Sequence, residues 1–470
     1  MNNYENRLFN IIFLSIFCII IYSLPYVISE YYRFPDTFSV VKNSLLVEDI
    51  ISGKIYSVYP QSYPASYLFF NILNKITNTN LFFFSRLIWS PFVLIGFITL
   101  WYLFVEKLFN SKAALVVCML SIPTQIIEIT SSPNSFGIML VMTALLLCTY
   151  KNSKFKFLLL ITLITCVTAH PVSFVVIVIF FSFFYIFSFL PNPFLKVSFN
   201  ILLLVIVLWF FWTLFTAGMG DGIIVAIYKT LTFESKSIEH LTTYTVSSGD
   251  LIYPWIQKYN TYKYELYALL ACFIFVLDIS NIRKNNVNII NSAYYSKRFM
   301  FLAISFILLS LTLINLTFGG ADTENVISRT LNYSMLAICT YLGSSYRFFP
   351  ISAGISVEKS IGCKSFKIDE LRNPYQRRIP LTGLCLIFFL IVVSTTYPTY
   401  SYARDSYINY PISEKYGDEF FCKHEYESNL IKDSNSFYFY DLMKEKYATG
   451  QIDLQHNLIY KNGWYSIESS

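Results

Sequence analysis

The sequence predicts an all-α polytopic membrane protein with about eleven transmembrane helices, and three observations predict it. Only 14% of the 470 residues are charged, against roughly a quarter in a soluble protein. Hydrophobic residues make up 55% and the mean hydropathy is +0.51. These residues stand in blocks, and a bilayer crossing takes about 20 of them per helix. So little polar side chain cannot cover a globule, which excludes a soluble enzyme. The net charge of +6 is spread without long basic runs, which excludes a nucleic-acid partner. Nine Cys are present, but no C-x-x-C pair and no Cys/His cluster, so neither a thiolate zinc site nor a disulfide framework is expected.

The blocks run over residues 9–28, 81–105, 113–129, 134–150, 155–170, 171–190, 198–217, 264–280, 299–317, 331–346 and 380–399. No small-residue cleavage site follows the first, which therefore reads as a retained span. Loop charge sets the orientation. Arg7, then Lys107 and Lys112, then Lys151, Lys154 and Lys156, then Lys196, then Arg283, Lys284, Lys297 and Arg298, and finally the basic segment 347–380 all fall on one side. The short loop Thr130–Asn134 on the other side has no base. The expected location is the cell membrane, with a cytoplasmic N-terminus and an extracytoplasmic C-terminus. The chain divides into a transmembrane domain over 1–399 and a small extracytoplasmic tail over 400–470. Outer-face segments are 29–80, 218–263, 319–330 and the tail.

The first outer loop, 29–80, carries the most chemistry. Asp36 opens a segment whose apolar Val41, Leu45, Leu46, Ile50 and Ile51 recur at helical spacing until Gly53. Tyr59–Pro60 and Tyr63–Pro64 follow, then a second segment with Asn71, Asn74, Lys75 and Asn78 along one polar stripe. Two amphipathic helices of this kind lie in the membrane interface. Asp36 has two readings, as the N-cap of the first helix or as a carboxylate at the mouth of a cavity. Glu48 and Asp49 read as the wet side of that helix.

Three further residues stand at the outer ends of spans. His170 lies between two apolar blocks in Ala169–His170–Pro171; an ionisable group at membrane depth either lines a cavity or sits neutral at a helix end. Arg329 closes the loop 319–330. A guanidinium there either grips a phosphate through two parallel hydrogen bonds or snorkels to the interface. Glu128, in "QIIEITSSPN", is either a second cavity carboxylate or an interfacial residue. Arg86 and Trp89 read as interfacial anchors.

The order of these pieces resembles the multi-pass glycosyltransferases of the GT-C superfamily, nearest to uncharacterised archaeal and bacterial members. The likeness runs through the outer-loop Asp36, the helix ending in Gly53, the "YP…YP" element and the second amphipathic helix. It continues through "SSPNSFGIML", "TAHPVSF", "ISRTLNYSMLAICTYLG" and the closing "LIYKNGWYSI". It implies an enzyme that takes a sugar from a polyprenyl (dolichyl or undecaprenyl) phosphate and passes it to a glycan, lipid or protein acceptor at the outer face. In that setting Asp36 is the catalytic carboxylate, while His170, Arg329 and, secondarily, Glu128 contact substrate. Two departures matter. The Trp-Trp-Asp-Tyr-Gly signature of oligosaccharyltransferase catalytic subunits is absent and the tail is too small for their C-terminal domain, which counts against en bloc transfer to Asn. The Asp-x-Asp metal motif is also absent, since Thr37 and Phe38 follow Asp36; no cofactor is assigned and a divalent metal is left open. The rival readings are a multi-pass transporter, a lipid-linked polysaccharide polymerase or ligase, and a scaffold without activity. Near-absence of charge inside the spans and of any internal repeat counts against the transporter.

Overall fold

The structure, a computed structural model, describes residues 7–19, 32–33, 41, 43–54, 61–78, 84–125, 133–150, 152–190, 197–216, 254–287, 289, 292–318, 323–345, 409–410, 428–432, 457–461 and 465–469. The chain is mostly helical over these residues. A helix falls within each predicted span except 380–399, which lies outside the described residues. Three helices among them are long and apolar enough to cross a membrane, at Pro91–Leu108, Tyr264–Lys284 and Ala293–Leu313. Shorter apolar helices occupy Arg7–Ile19, Ser111–Ile122, Pro133–Cys148, Pro171–Phe187 and Phe199–Leu214.

In chain order the elements are α1 (Arg7–Ile19), β1 (Tyr32–Arg33), α2 (Val47–Ile51), α3 (Ala65–Thr77) and α4 (Ser90–Leu108). Then come α5 (Ser111–Gln125), α6 (Pro133–Cys148), α7 (Ser153–Val167), α8 (Pro171–Phe187) and α9 (Phe199–Phe211). The last helices are α10 (Pro254–Lys284), α11 (Ala293–Phe318) and α12 (Thr323–Ser344), followed by strands β2 (Asn409–Tyr410), β3 (Ser428–Lys432), β4 (Asn457–Lys461) and β5 (Tyr465–Ser469). A π-helical turn, Phe84–Trp89, leads into α4. Pro91 lacks the N–H that a continuous α-helix would need there, so the turn before it widens.

In the segment 29–80 the described residues include the short helix α2 and the helix α3, while Asp36 and Tyr59–Pro60 lie outside them. Val41 and Ile50 are buried as an apolar face requires, but Leu45 and Ile51 are exposed. Gly53 adopts φ 78°, a left-handed conformation that glycine enters without penalty. Behind it Lys54 N donates to Asp49 O at 2.9 Å and Gly53 N to Ile50 O at 3.1 Å, the paired bonds of a Schellman stop. Asn78 ends α3 in the same left-handed region, at φ 48°. Glu48 is more than the wet side of α2: its carboxylate takes the Lys75 ammonium and the Asn71 amide, joining α2 to α3.

The core gathers around α4, where Trp89, Phe97, Trp101, Tyr102 and Phe104 are all buried. Trp89 is a core residue, not an interfacial anchor. Its ring stands 4.5 Å from Phe70 and 5.4 Å from Phe69 on α3, and its Nε1 donates to Ser135 Oγ at 3.3 Å. Helices α11 and α12 form an antiparallel hairpin, pinned where Tyr294 OH donates to Ser344 O at 2.8 Å and Ser334 Oγ to Ser305 O at 3.0 Å. Near the other end of that hairpin Thr312 Oγ1 and Thr330 Oγ1 share a hydrogen 2.8 Å apart. Gly343 sets α12 directly on α5: a Cβ there would stand 2.5 Å from Val117 Cγ2 and 2.8 Å from its backbone N.

One end of the bundle is basic and internally paired. Arg7 bonds Glu106 at 2.7 Å, Lys107 lies 3.2 Å over the Tyr150 ring, and Lys297 Nζ donates to Leu108 O at the end of α4. Beside them Arg298 and Asp278 form a fully buried ion pair. Tyr341 OH donates to the free Asp278 oxygen at 2.7 Å, and the Arg298 guanidinium also reaches Ser345 Oγ.

The tail departs from a purely helical class. Its strands pair antiparallel in the order β3-β5-β4, with Leu430 opposite Ile467 and Tyr460 opposite Ile467 on the other side. A second ladder joins β1 to β2, Tyr32 opposite Tyr410 and Arg33 opposite Asn409. The tail therefore meets the chain just before Asp36.

Candidate functional site

Helix α8 begins at Pro171, whose missing N–H costs nothing at a first helical position. His170 is thereby placed at the N-cap, with extended backbone at φ −162° and ψ 130°, and is completely buried. The preceding helix α7 ends at Val167 with Thr168 as its C-cap, so only Ala169 stands between the caps of the two helices. The Thr168 carbonyl, left over at the end of α7, accepts the Ala65 N–H left over at the start of α3, at 3.2 Å. Unsatisfied groups from two helix ends satisfy each other. Next to this, Trp212 Nε1 donates to Ser62 O at 3.0 Å. The second Tyr-Pro element of the first outer loop is thus fastened between the His170 turn and the end of α9.

Arg329 comes to this turn from a helix much later in the chain. It lies in the second turn of α12, not in a loop, because α12 starts at Thr323, where Thr followed by Glu324 favours a helix N-terminus. Arg329 Nη1 stands 2.7 Å from His170 Nε2. The other ring nitrogen, Nδ1, has the Ser173 backbone N–H at 3.3 Å and Ser173 Oγ at 3.2 Å. Tyr333, four residues after Arg329 and so on the same helix face, donates its OH to Ser173 Oγ at 3.2 Å. The result is a chain of contacts from Tyr333 through Ser173 and His170 to Arg329. Ser173 is fully buried, Tyr333 nearly so, and Arg329 half-buried.

Gly137 makes this approach fit. A Cβ on it would stand 2.4 Å from Ser173 Oγ and 3.1 Å from His170 Cβ, so α6 touches the turn with bare backbone.

Of the four residues singled out from the sequence, His170 and Arg329 are in contact, whereas Asp36 and Glu128 lie outside the described residues. Ser173 and Tyr333 were not anticipated. Their signals were spacings: Ser173 three residues after a helix-capping His170, and Tyr333 one turn after Arg329. Among the described residues no group of three or more His, Cys, Asp or Glu is placed to hold a metal ion. What the arrangement offers is a cation and an imidazole side by side at a helix N-terminus, a combination suited to an anion.

No protein-family model and no curated protein sequence matches the chain. Among solved structures it is similar to the oligosaccharyltransferase of Archaeoglobus fulgidus tethered to an acceptor peptide containing the NVT sequon, with a TM-score of 0.47 and 12% identity, over 97% of this chain and 61% of that one. The apo form of that enzyme gives a TM-score of 0.46 and 13% identity over the same shares. The archaeal oligosaccharyltransferase AglB from the same organism, in complex with an inhibitory peptide and a dolichol-phosphate, gives 0.41 and 14%, again over 97% and 61%. The chain spans about three fifths of the length of these structures. Likeness of this degree carries no functional argument.

Proposed function

We propose that this chain is a membrane glycosyltransferase of GT-C type that moves a sugar from a polyprenyl-phosphate carrier to an acceptor at the outer face. The observation that carries this reading is the contact of Arg329 with His170, 2.7 Å apart, at a turn to which the first outer loop is hydrogen-bonded. A guanidinium among apolar helices calls for an anionic partner, and a lipid phosphate is the anion that a membrane supplies. The reading takes about eleven spans over 1–399, a cytoplasmic N-terminus, and a tail over 400–470 that caps the outer side.

In this scheme Asp36 takes the proton of the acceptor hydroxyl as its oxygen attacks the anomeric carbon. The bond from that carbon to the carrier's phosphate oxygen breaks, and its electron pair stays on the phosphate. Arg329 and His170 stabilise the charge gathering there. Glu128 is the secondary carboxylate of the scheme. A single displacement of this kind inverts the anomeric configuration. Metal dependence is decided by whether chelation stops turnover.

The test is to incubate the protein in nanodiscs with radiolabelled polyprenyl-phosphate sugars, beside Asp36→Asn and Arg329→Gln. Turnover by the native chain, lost in Asp36→Asn and weakened at the donor in Arg329→Gln, supports the reading. Turnover unaffected by Asp36→Asn leaves that residue a helix cap, and solute uptake into liposomes without any transfer would return the transporter.

A further inference from the structure

Resting on the phosphate-binding role just given to Arg329 and His170, we propose that His170 exchanges one neutral tautomer for the other when phosphate enters the site. A neutral imidazole has one N–H and one bare nitrogen, and arginine has donors only. Arg329 Nη1 at 2.7 Å from Nε2 therefore requires the bare nitrogen to be Nε2. The hydrogen is then on Nδ1. Of the two Ser173 groups beside Nδ1, the backbone N–H at 3.3 Å and Oγ at 3.2 Å, only Oγ can accept it. The Ser173 N–H also points at Nδ1, at 3.3 Å, in a cap that needs that nitrogen bare. One neutral ring cannot serve both contacts, and the shorter one, to Arg329, keeps the bare nitrogen at Nε2 while the site is empty.

The opposite tautomer reverses both relations. Bare Nδ1 accepts the Ser173 N–H and caps the helix, while Nε2–H points at the guanidinium. Two donors cannot face each other at that distance, but a phosphate oxygen between them accepts from both. Phosphate entry thus exchanges the Arg329–His170 and His170–Ser173 Oγ bonds for a helix cap and two bonds to the anion. One proton leaves Nδ1 for solvent and one arrives at Nε2, so the imidazole stays neutral throughout. The guanidinium is held in place while the site is empty and released by the ligand itself. A carrier-linked phosphate and free phosphate share this chemistry, and the experiment separates them.

The full chain, labelled with ¹⁵N at histidine, is placed in nanodiscs and its ring nitrogens are observed by NMR, with the His170 signals identified by their loss in His170→Asn. Spectra are recorded alone, with geranylgeranyl phosphate, and with inorganic phosphate, while ³¹P line shifts report binding. The expected result is Nδ1–H and bare Nε2 without ligand, reversed on saturation with geranylgeranyl phosphate. An Nε2–H form in the empty native chain overturns the switch. So does saturation that leaves Nδ1–H in place, or that yields a doubly protonated ring. Reversal by inorganic phosphate at the same concentration keeps the switch but removes the lipid carrier as the occupant. Absence of ³¹P-detected binding removes the phosphate site itself, and the switch with it.

Discussion

Arg329 and His170 stand 159 positions apart in sequence, yet their side-chain nitrogens approach to 2.7 Å. One belongs to the second turn of α12 and the other occupies the N-cap position of α8, so the contact joins two helices far apart in the chain.

Capping and ligand contact can be separated at His170. Asn is a preferred N-cap, worth about 1 kcal/mol over Ala, but is too short to reach Arg329. His170→Asn is expected to unfold no earlier than the native chain and to lose donor turnover at least tenfold, whereas His170→Ala loses turnover and unfolds before His170→Asn for want of a cap. Thermal unfolding and donor turnover measured on the same samples check this; native turnover in His170→Asn would reduce His170 to a cap.

The planar fork of Arg329, and not its charge alone, is expected to matter. Arg329→Lys keeps the charge but loses the paired donors, so the donor KM should rise about tenfold, equivalent to about 1.4 kcal/mol. Arg329→Gln should raise it further and lower kcat. An unchanged KM in Arg329→Gln would take Arg329 out of the donor site.

Two glycines make a matched pair. Gly137→Ala drives a methyl against Ser173 Oγ and His170, and Gly343→Ala drives one against the Val117 backbone. Overpacking of this kind costs about 1–3 kcal/mol. Both variants should be destabilised, but only Gly137→Ala should alter the donor KM in the folded fraction. Equal KM values in the two would show that His170 tolerates displacement.

Removing Arg298 leaves Asp278 buried and unneutralised. Arg298→Met is expected to lose about 3–5 kcal/mol, and replacing both partners, Arg298→Met with Asp278→Leu, should recover much of that. Both changes lie at the basic end of the bundle, so turnover per folded molecule should hold. Chemical unfolding in detergent gives the comparison, and an additive loss in the double variant would rule out the pairing.

Most helices were legible because apolar blocks of bilayer length leave few alternatives, and the stops at Gly53 and Asn78 because left-handed helix ends favour those residue types. His170 and Arg329 could be picked out individually as ionisable groups at span ends, but no local pattern tells which span ends meet. Arg298 illustrates the same limit. It read as one more base in an inner loop, while its burial depends on Asp278, a lone carboxylate near the end of another helix. Trp89 resembled an anchor because an aromatic near a span end usually is one; the packing of α3 and α6 over it makes it core. The tail sheet had a signal, Asn462–Gly463 between two short alternating runs, of the type that marks hairpins.

The ladder of Tyr32–Arg33 with Asn409–Tyr410 gives the chain the topology of a clasped belt. The strand just ahead of Asp36 in sequence has for its partner a strand from beyond every predicted span, so this pairing closes only once the chain past residue 410 has been made. A chain shortened to residues 1–399 would lose the buckle, and the segment after Asp36 would keep the Ala65–Thr168 and Trp212–Ser62 bonds and the packing of Phe69 and Phe70 on Trp89.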